Sequence, residues 1–393
     1  MGASGRIKRI AGLMIALSLL TGCSGKTESS SGTLTVDQVF SGGKPDNGNP
    51  PPAMLSLSSQ QLVSNIRIGW NLGLALENCL EPGDTAGADS AETLRGNLPA
   101  TEKMFESLVD SGVNAVRLPV SWQDHIDEAG NIDESWLNRV TQVANYAYDN
   151  GMYVILTMYH DGDDGSWLCG AAEDHDAVLM RYASIWRQIA EHFGSYNERL
   201  LFESMNAVDF SGISDDDAYS LLNEINQLFV DTVRNSGAFN PWRHLLIAGF
   251  DADIICSIDS RFRMPEDEYE RCILSVHYYI PVTFCVDGIQ DNWGSNTDQI
   301  WMESMISQLR TNFTDKGIPA MITEYGTAGD DIPSRVFYCE SLTKLCRDAG
   351  IAAFLWDDGS EFDRGGFTWS TPGLIEALRK ASGSTDYTPE KQK

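Results

Sequence analysis

The stretch MYVILTMYH, Met152–His160, decides the fold together with the two segments that follow it, HDAVLMRYASIWRQIAEHFG at 175–194 and LLFESMNAVDF, Leu200–Phe210. The first and third segments begin as short apolar runs, which are typical of strands buried on both faces. The middle segment has apolar residues at helical spacing and ends on a glycine. Strand, helix and strand in this order predict a unit with two parallel strands.

The same alternation extends in both directions along the chain. Predicted strands lie at 65–73, 114–120, 152–160, 200–207, 244–250, 272–281, 319–326 and 351–359. Helical segments separate most of them, although 251–271 is irregular and shows no clear helix. Eight such strands predict an α/β fold of the (β/α)8 TIM barrel type. An open doubly wound sheet is the alternative, but no glycine-rich phosphate loop follows the first strand.

The N-terminus has the pattern of an export signal. Arg6, Lys8 and Arg9 precede the apolar run IAGLMIALSLL, which ends in LTGC at Cys23. This pattern predicts a lipoprotein signal peptide over 1–22 and a lipid anchor at Cys23, with an ordinary signal peptide as the alternative. We expect a flexible Ser/Gly/Pro tether over 23–54, the barrel over 55–383 and a polar tail over 384–393. The expected location is the bacterial cell surface or the outer face of a membrane.

Composition excludes some classes of function. The chain carries 28 Lys and Arg against 56 Asp and Glu, which gives a formal charge of −28. A surface of that sign repels phosphate backbones, so we expect no nucleic-acid partner. The chain also has no C-x-x-C pair and no H-x-H at the first strand, so we expect neither a metal site nor a cofactor. We expect it to act as a monomer.

The strand ends carry polar or aromatic residues. In a TIM barrel the C-terminal ends of the strands point into the active site. The residues at these ends are Asn71, Arg117, His160, Asn206, His277 with Tyr279, Glu324 and Trp356. Any one of them could be a structural residue, but seven strand ends of this kind in one barrel predict an active site.

These segments, taken together, resemble glycoside hydrolase family 5, the retaining cellulase-like enzymes. The matching pieces, in family order, are GWNLG (69–73), VRLPVSW (116–122), MYH (158–160), FESMN (202–206), HYY (277–279), ITEYG (322–326) and FLWDDG (354–359). The resemblance implies action on a β-1,4-linked polysaccharide in the manner of an endoglucanase. Glucan, xyloglucan and mannan remain open as substrates.

The resemblance also implies roles for the strand-end residues. Glu324 would be the nucleophile, and Arg117 and Tyr279 would stabilise its ionised carboxylate. The residues implied to bind the sugar are Asn71, His160, Asn206, His277 and Trp356. Among these, Asn206 would bond the 2-hydroxyl, the histidines would bind hydroxyls or orient the acid, and Trp356 would stack on the sugar. Further tryptophans that would stack on sugars or pack in the protein are Trp70, Trp122, Trp167, Trp293 and Trp369.

One position departs from the family pattern. The family has its general acid/base glutamate directly after the asparagine of this strand and usually a proline after that, whereas this chain has Ala207 and Val208. Three interpretations remain open: a natural variant that binds glycans and scarcely hydrolyses them, an enzyme in which another carboxyl acts, or an engineered Glu→Ala form. The leading hypothesis is a retaining glycoside hydrolase with impaired or compensated hydrolysis. The alternative is a non-catalytic glycan-binding surface lipoprotein.

Several carboxyls are candidates for a replacement acid. Glu203 lies four residues before Ala207, so an extended strand would place it about 13 Å lower in the barrel. The other candidates are Asp161, Asp163, Asp164, Glu173 and Asp209. We expect most of them to be solvated loop charges or helix caps.

Overall fold

A computed structural model of the protein describes residues 52–54, 56–80, 88–163, 165–208, 210 and 212–383. The predicted signal peptide, Cys23, Asp164, Asp209 and the tail at 384–393 lie outside the described residues. Met54, the last residue of the predicted tether, is fully buried. Within the described ranges, no helix is both long and apolar enough to cross a membrane.

Eight parallel strands close into a barrel in sequence order, which confirms the predicted TIM barrel. The strands are β1 (Gly69–Leu72), β2 (Ala115–Val120), β3 (Tyr153–Met158), β4 (Leu200–Glu203), β5 (Leu245–Asp253), β6 (Cys272–Tyr278), β7 (Ala320–Tyr325) and β8 (Ala352–Asp357). A two-stranded sheet, β9 (Phe362–Asp363) and β10 (Thr368–Trp369), follows the last barrel strand.

Helices surround the barrel. They are α1 (Ser59–Asn65), α2 (Glu102–Ser111), α3 (Glu134–Asp149), α4 (His175–His192), α5 (Asp215–Arg234), α6 (Ile254–Ile258), α7 (Val282–Cys285), α8 (Asn296–Asn312), α9 (Ile332–Asp348) and α10 (Leu374–Ser382). The irregular segment after β5 holds only the short α6, as the sequence predicted. The sequence analysis did not predict α1.

Local chemistry explains where the longer helices begin. The hydroxyls of Ser58, Thr101, Ser214 and Ser295 each accept a hydrogen bond from a backbone N–H in the first turn of α1, α2, α5 and α8 respectively. These bonds satisfy backbone donors that the helix itself leaves without a partner. At the other end, α2 stops at Gly112 because its φ of 104° suits a residue without a Cβ.

The barrel interior is built in two layers that differ in polarity. The lower layer is an apolar cluster that includes Ala115, Ile155, Leu201, Ile273 and Met321, with α1 packed beneath it. Two residues further along each strand, the inward position moves one level up the barrel. There the same five strands carry Arg117, Thr157, Glu203, Ser275 and Thr323. The polar site therefore rests on an apolar base.

Candidate active site

Strand register brings the key polar residues to one level. Asn71 of β1 is paired with Arg117 of β2 on one side and with Trp356 of β8 on the other. On the opposite side of the barrel, His277 of β6 is paired with Glu324 of β7. Parallel strands in a barrel point their C-terminal ends the same way, so these side chains meet at one mouth.

Arg117 is the centre of the polar layer. Its guanidinium donates from Nη1 to Glu324 Oε1 at 2.6 Å and to Asn71 Oδ1 at 3.2 Å, and from Nη2 to Asn206 Oδ1 at 3.0 Å. Its Nε donates to Glu203 Oε2 at 2.5 Å. Burial alone would lower the pKa of Arg117, but the carboxylates of Glu203 and Glu324 outweigh burial and raise it. The guanidinium therefore stays charged.

Three side chains contact the Glu324 carboxylate. Arg117 and His277 both approach Oε1, with His277 Nε2 at 3.6 Å, and the Tyr279 hydroxyl donates to Oε2 at 3.2 Å. Burial, followed by the charge of Glu324, raises the pKa of Tyr279 well above its usual value. Tyr279 therefore keeps its proton and donates a hydrogen bond to the carboxylate. This geometry suits a glutamate that must remain ionised.

Glu203 lies beneath the mouth of the barrel and is bound to other polar side chains. It bonds Arg117 and accepts a hydrogen bond from the hydroxyl of Ser275, and only 1% of its surface is exposed. The expected separation of about 13 Å below Ala207 assumed a straight strand, but β4 ends at Glu203 and Asn206 shares the same guanidinium. Glu203 is thus committed to Arg117 beneath the mouth.

Asn71 does not lie where a sugar could reach it. It has no exposed surface, and its amide nitrogen donates to the Thr323 carbonyl at 2.9 Å while its oxygen accepts from Arg117. The implied sugar contact is therefore corrected: Asn71 holds the arginine in place. The β1 position predicted this residue, but strand position alone could not distinguish a residue beneath the site from one that lines it.

An aromatic pair spans the mouth. The rings of Tyr159, which follows β3, and Trp356 of β8 are stacked with centroids 5.7 Å apart and planes 18° from parallel. The Arg117 guanidinium carbon lies 5.8 Å from the Tyr159 ring centroid. The sequence analysis quoted Tyr159 within MYH but gave it no role. Its position next to His160 at a strand end was the signal that could have identified it.

The other tryptophans divide between core and surface. Trp70, Trp122 and Trp293 are buried, so they pack within the protein, whereas Trp167 and Trp369 are partly exposed. The Trp167 indole donates to Asp161, and Trp369 packs edge-on against Phe362.

Ala207 lies at the rim, directly after an anchored residue. The Asn206 N–H donates to the Met158 carbonyl at the end of β3 at 2.8 Å, which joins the ends of the two strands. Ala207 is partly exposed, whereas Val208 is fully buried. The methyl group of Ala207 thus occupies a partly exposed position, next in sequence to Asn206.

Two of the candidate replacement carboxyls that the structure describes, Glu203 and Asp161, are bound to other groups. Asp161 has no exposed surface and accepts from the Trp122 N–H at 2.8 Å and the Trp167 indole at 2.7 Å. Burial raises its pKa to about 6. Glu173 is exposed at the start of α4. Asp163 differs from these two, because it is partly exposed and contacts His160.

His160 and Asp163 form a pair beside the mouth. Asp163 Oδ2 lies 2.5 Å from His160 Nδ1, and the two side chains are 27% and 21% exposed respectively. The His160 ring meets Tyr159 edge-on, with centroids 4.7 Å apart. His160 therefore belongs to the same surface as the aromatic pair.

A second buried carboxyl cluster supports the loops above β1 and β8. Asp357 accepts from the Trp70 indole at 2.9 Å, and Glu77 accepts from the Ala75 N–H at 2.8 Å. Arg364 donates to the Gly73 and Asp357 carbonyls. Burial raises the pKa of Glu77 to about 7 and that of Asp357 to about 6.

Comparison with known sequences gives consistent matches. The family model described as Cellulase (glycosyl hydrolase family 5) matches residues 80–361. Endoglucanase A of Ruminococcus albus is 31% identical over 352 residues, which cover 82% of this chain and 92% of that protein. Endoglucanase B of Clostridium cellulovorans is 31% identical over 352 residues, which cover 84% and 77%.

Solved structures of glycoside hydrolase family 5 enzymes are also similar to this chain. A glycoside hydrolase 5 lichenase from Caldicellulosiruptor sp. F32, solved as a mutant in complex with cellotetraose, has a TM-score of 0.78 and 28% identity. It covers 86% of this chain and 99% of its own. A broad specificity endoglucanase from Ruminococcus champanellensis with bound cellotriose has a TM-score of 0.76 and 32% identity, covering 82% and 98%.

Proposed function

The chain belongs to glycosyl hydrolase family 5, and from that premise we propose that it acts on β-1,4-linked glucan in endo fashion with Glu324 as the nucleophile of a retaining mechanism. We propose further that hydrolysis is impaired because Ala207 occupies the acid/base position. The observation that carries this proposal is the Glu324 carboxylate, which Arg117 and Tyr279 hold by hydrogen bonds of 2.6 and 3.2 Å.

The first step of this mechanism uses residues that the chain retains. A Glu324 oxygen attacks the anomeric carbon, the bond to the leaving sugar breaks, and a glycosyl-enzyme forms. Arg117 and Tyr279 hold the carboxylate in place beforehand, so little reorganisation is needed as its charge is lost. Asn206 would bond the 2-hydroxyl of the reacting sugar, and the Tyr159–Trp356 pair would support its apolar face.

The second residue of the retaining pair is missing. A general acid usually accelerates such a step by ~10²–10⁴-fold, which is roughly 3 to 5.5 kcal/mol of barrier. A methyl group can neither protonate the leaving oxygen nor activate the water that releases the glycosyl-enzyme. Glycosides with good leaving groups need little protonation, so they should still form the covalent intermediate.

Pre-steady-state kinetics with 2,4-dinitrophenyl β-cellobioside test the proposal on the full-length chain in mild detergent. We expect a burst of dinitrophenolate equal to the enzyme concentration, then slow turnover that azide accelerates by forming β-cellobiosyl azide. Azide needs no base, so its effect isolates the missing acid/base function. Peptide mass spectrometry should locate the trapped sugar on Glu324, and Glu324→Gln should abolish the burst.

The alternative function, a non-catalytic glycan-binding protein, is favoured by Ala207 alone. It predicts no burst, together with cello-oligosaccharide binding that Glu324→Gln leaves intact. The burst distinguishes the two functions, because only the first requires the Glu324 carboxylate, whereas both predict that cellotetraose binds.

We also propose that the protein is a monomeric lipoprotein anchored through Cys23, on the evidence of the N-terminal pattern LTGC. Metabolic labelling with a fatty acid should mark the unaltered chain and leave Cys23→Ser unlabelled. Labelling of both forms, or of neither, would contradict the anchor. Light scattering of the detergent-solubilised chain would test the monomer.

A further inference from the structure

Three of the carboxyls considered as replacement acids, Glu203, Asp161 and Glu173, do not supply an obvious proton carrier. Glu203 is bonded to Arg117 and Ser275, and Asp161 has no exposed surface. The exposed Glu173 lies beyond the 3-10 helix Trp167–Ala172. A further titratable group at this rim is the His160–Asp163 pair, which is partly exposed.

The backbone of His160 is held firmly. Its N–H donates to the Ser121 hydroxyl at 3.0 Å, and its carbonyl accepts from the Ser166 hydroxyl at 2.7 Å. The carbonyl also accepts from the Asp163 N–H at 3.1 Å, which closes the turn that brings the aspartate to the ring. These three bonds fix the backbone from which the imidazole extends.

This turn packs directly against the segment that carries Ala207. Gly162 lies between His160 and Asp163, and a Cβ on Gly162 would lie 2.4 Å from Val208 Cγ2. Real Cβ atoms do not approach so closely, so contact at this distance requires glycine. Because Val208 is the next residue after Ala207, the histidine–aspartate turn borders the position from which the family acid is missing.

We propose that His160, oriented by Asp163, carries the acid/base function that Ala207 cannot. The inference rests on the proposed retaining mechanism and deepens it. In the first step Glu324 bonds the anomeric carbon, the glycosidic bond breaks, and the proton on His160 Nε2 moves to the leaving oxygen. In the second step water bonds the anomeric carbon, the bond to Glu324 breaks, and the water proton returns to Nε2.

The pairing with Asp163 suits this role. A carboxylate on Nδ1 fixes the tautomer and stabilises the protonated ring, which leaves Nε2 as the nitrogen that exchanges protons. Among the groups that face His160 are the Asp163 carboxylate and the edge of the Tyr159 ring, while the adjacent Asp161 points instead to Trp122 and Trp167. Asp163 is therefore a positioning residue, and His160 is the group that contacts the leaving sugar.

Two substrates separate proton transfer from sugar binding. Cellotetraose has a poor leaving group and needs an acid, whereas 2,4-dinitrophenyl β-cellobioside does not. We expect His160→Gln to lower kcat/KM for cellotetraose by ~10²-fold or more while the dinitrophenolate burst rate changes little. Steady turnover after the burst should fall as well, and azide should restore it. Asp163→Asn should give the same pattern to a smaller degree.

Two controls separate the loss of proton transfer from a general effect of changing a histidine. His192→Gln replaces an exposed histidine at the end of α4 and should change neither substrate. Thermal melting checks that His160→Gln folds. If it does not, Asp163→Asn and the pH profile of the unaltered protein decide, because cellotetraose turnover should fall as His160 loses its proton while the burst rate does not.

Each outcome is decisive. Unchanged cellotetraose turnover in His160→Gln would overturn the inference, and so would equal losses on both substrates, which indicate sugar binding only. A burst in an unaltered protein that never turns over cellotetraose would also overturn it, while leaving the proposed function intact. No burst at all would instead contradict the proposed function itself.

Discussion

The Arg117 guanidinium lies 2.6 Å from Glu324 Oε1, and both side chains are almost fully buried at the centre of the barrel mouth. The same cation also bonds Glu203, so one arginine offsets two buried carboxylates. Buried charges are tolerated when they are paired and fully hydrogen bonded. This relationship couples the stability of the barrel to the state of the proposed nucleophile.

Arg117→Lys should therefore damage both stability and chemistry. A lysine ammonium cannot reproduce the planar set of contacts to Glu324, Glu203 and Asn206. We expect unfolding to be easier by about 3 kcal/mol, in the range for disrupting a buried ion pair, and the burst rate with 2,4-dinitrophenyl β-cellobioside to fall by about 10²-fold or more. Thermal melts and stopped-flow absorbance measure the two effects. Arg310→Lys, on an exposed part of α8, is the matched control, and equal behaviour of the two variants would contradict the role of Arg117.

Ala207→Glu should restore hydrolysis. The side chain would extend from the rim beside Asn206, where the family carries its acid. We expect turnover of barley β-glucan to rise by up to ~10²–10⁴-fold, with little change in the dinitrophenolate burst rate. Ala207→Gln has the same shape but exchanges no proton, so an equal gain in that variant would show that packing, and not acid catalysis, was improved.

Tyr159 should contribute to sugar affinity through its stack on Trp356. Tyr159→Ala removes the ring, and aromatic pairs contribute about 0.5–1.5 kcal/mol beyond buried area, so binding should weaken by roughly 2- to 12-fold. Titration calorimetry with cellotetraose in a Glu324→Gln background avoids turnover. Tyr159→Phe retains the stack and is the control. Equal losses in both variants would assign the effect to the hydroxyl.

Glu77 should make stability depend on pH. Burial raises its pKa in the folded protein from 4.5 to about 7, so the folded state binds this proton more tightly than the unfolded state. The resulting stabilisation is complete below pH 4.5 and is lost as pH rises towards 7, by at most roughly 3 kcal/mol. Glu77→Gln cannot titrate, so its melting temperature should fall less than that of the parent between pH 5 and 8. Parallel pH profiles of the two proteins would contradict this assignment.

Several features of the site were predictable because strand position alone determines them. A residue at the C-terminal end of a barrel strand faces the mouth whatever its neighbours are, so Arg117, His277 and Glu324 could be assigned to one cluster. The fold followed for the same reason, since alternating apolar runs and amphipathic segments admit few other arrangements. The alanine at position 207 was also visible, because it is a property of one residue.

Which side chains pair with each other, and how far each lies beneath the mouth of the barrel, could be learned only from the tertiary structure. Asn71 would contact sugar if it lay one layer higher in the barrel, and it supports Arg117 because it lies beneath the site. The pattern of apolar and polar residues along the strand does not distinguish these two positions. Glu203 could be placed beneath the mouth from the sequence, but its pairing with Arg117 could not, because that contact joins residues on different strands. Likewise, the pairing of His160 with Asp163 depends on the turn that the Asp163 N–H closes onto the His160 carbonyl.

The sequence by itself determined the barrel, its polar mouth and the departure at Ala207 from the pattern that the chain resembles, because local periodicity and residue type are sufficient for these. Only the tertiary structure decided which charges pair, which lie beneath the mouth and which remain able to exchange a proton. The physical reason is that an ion pair or hydrogen bond forms only when two groups, often far apart in the chain, are positioned to within a few tenths of an ångström. Those distances are set when all eight strands close together.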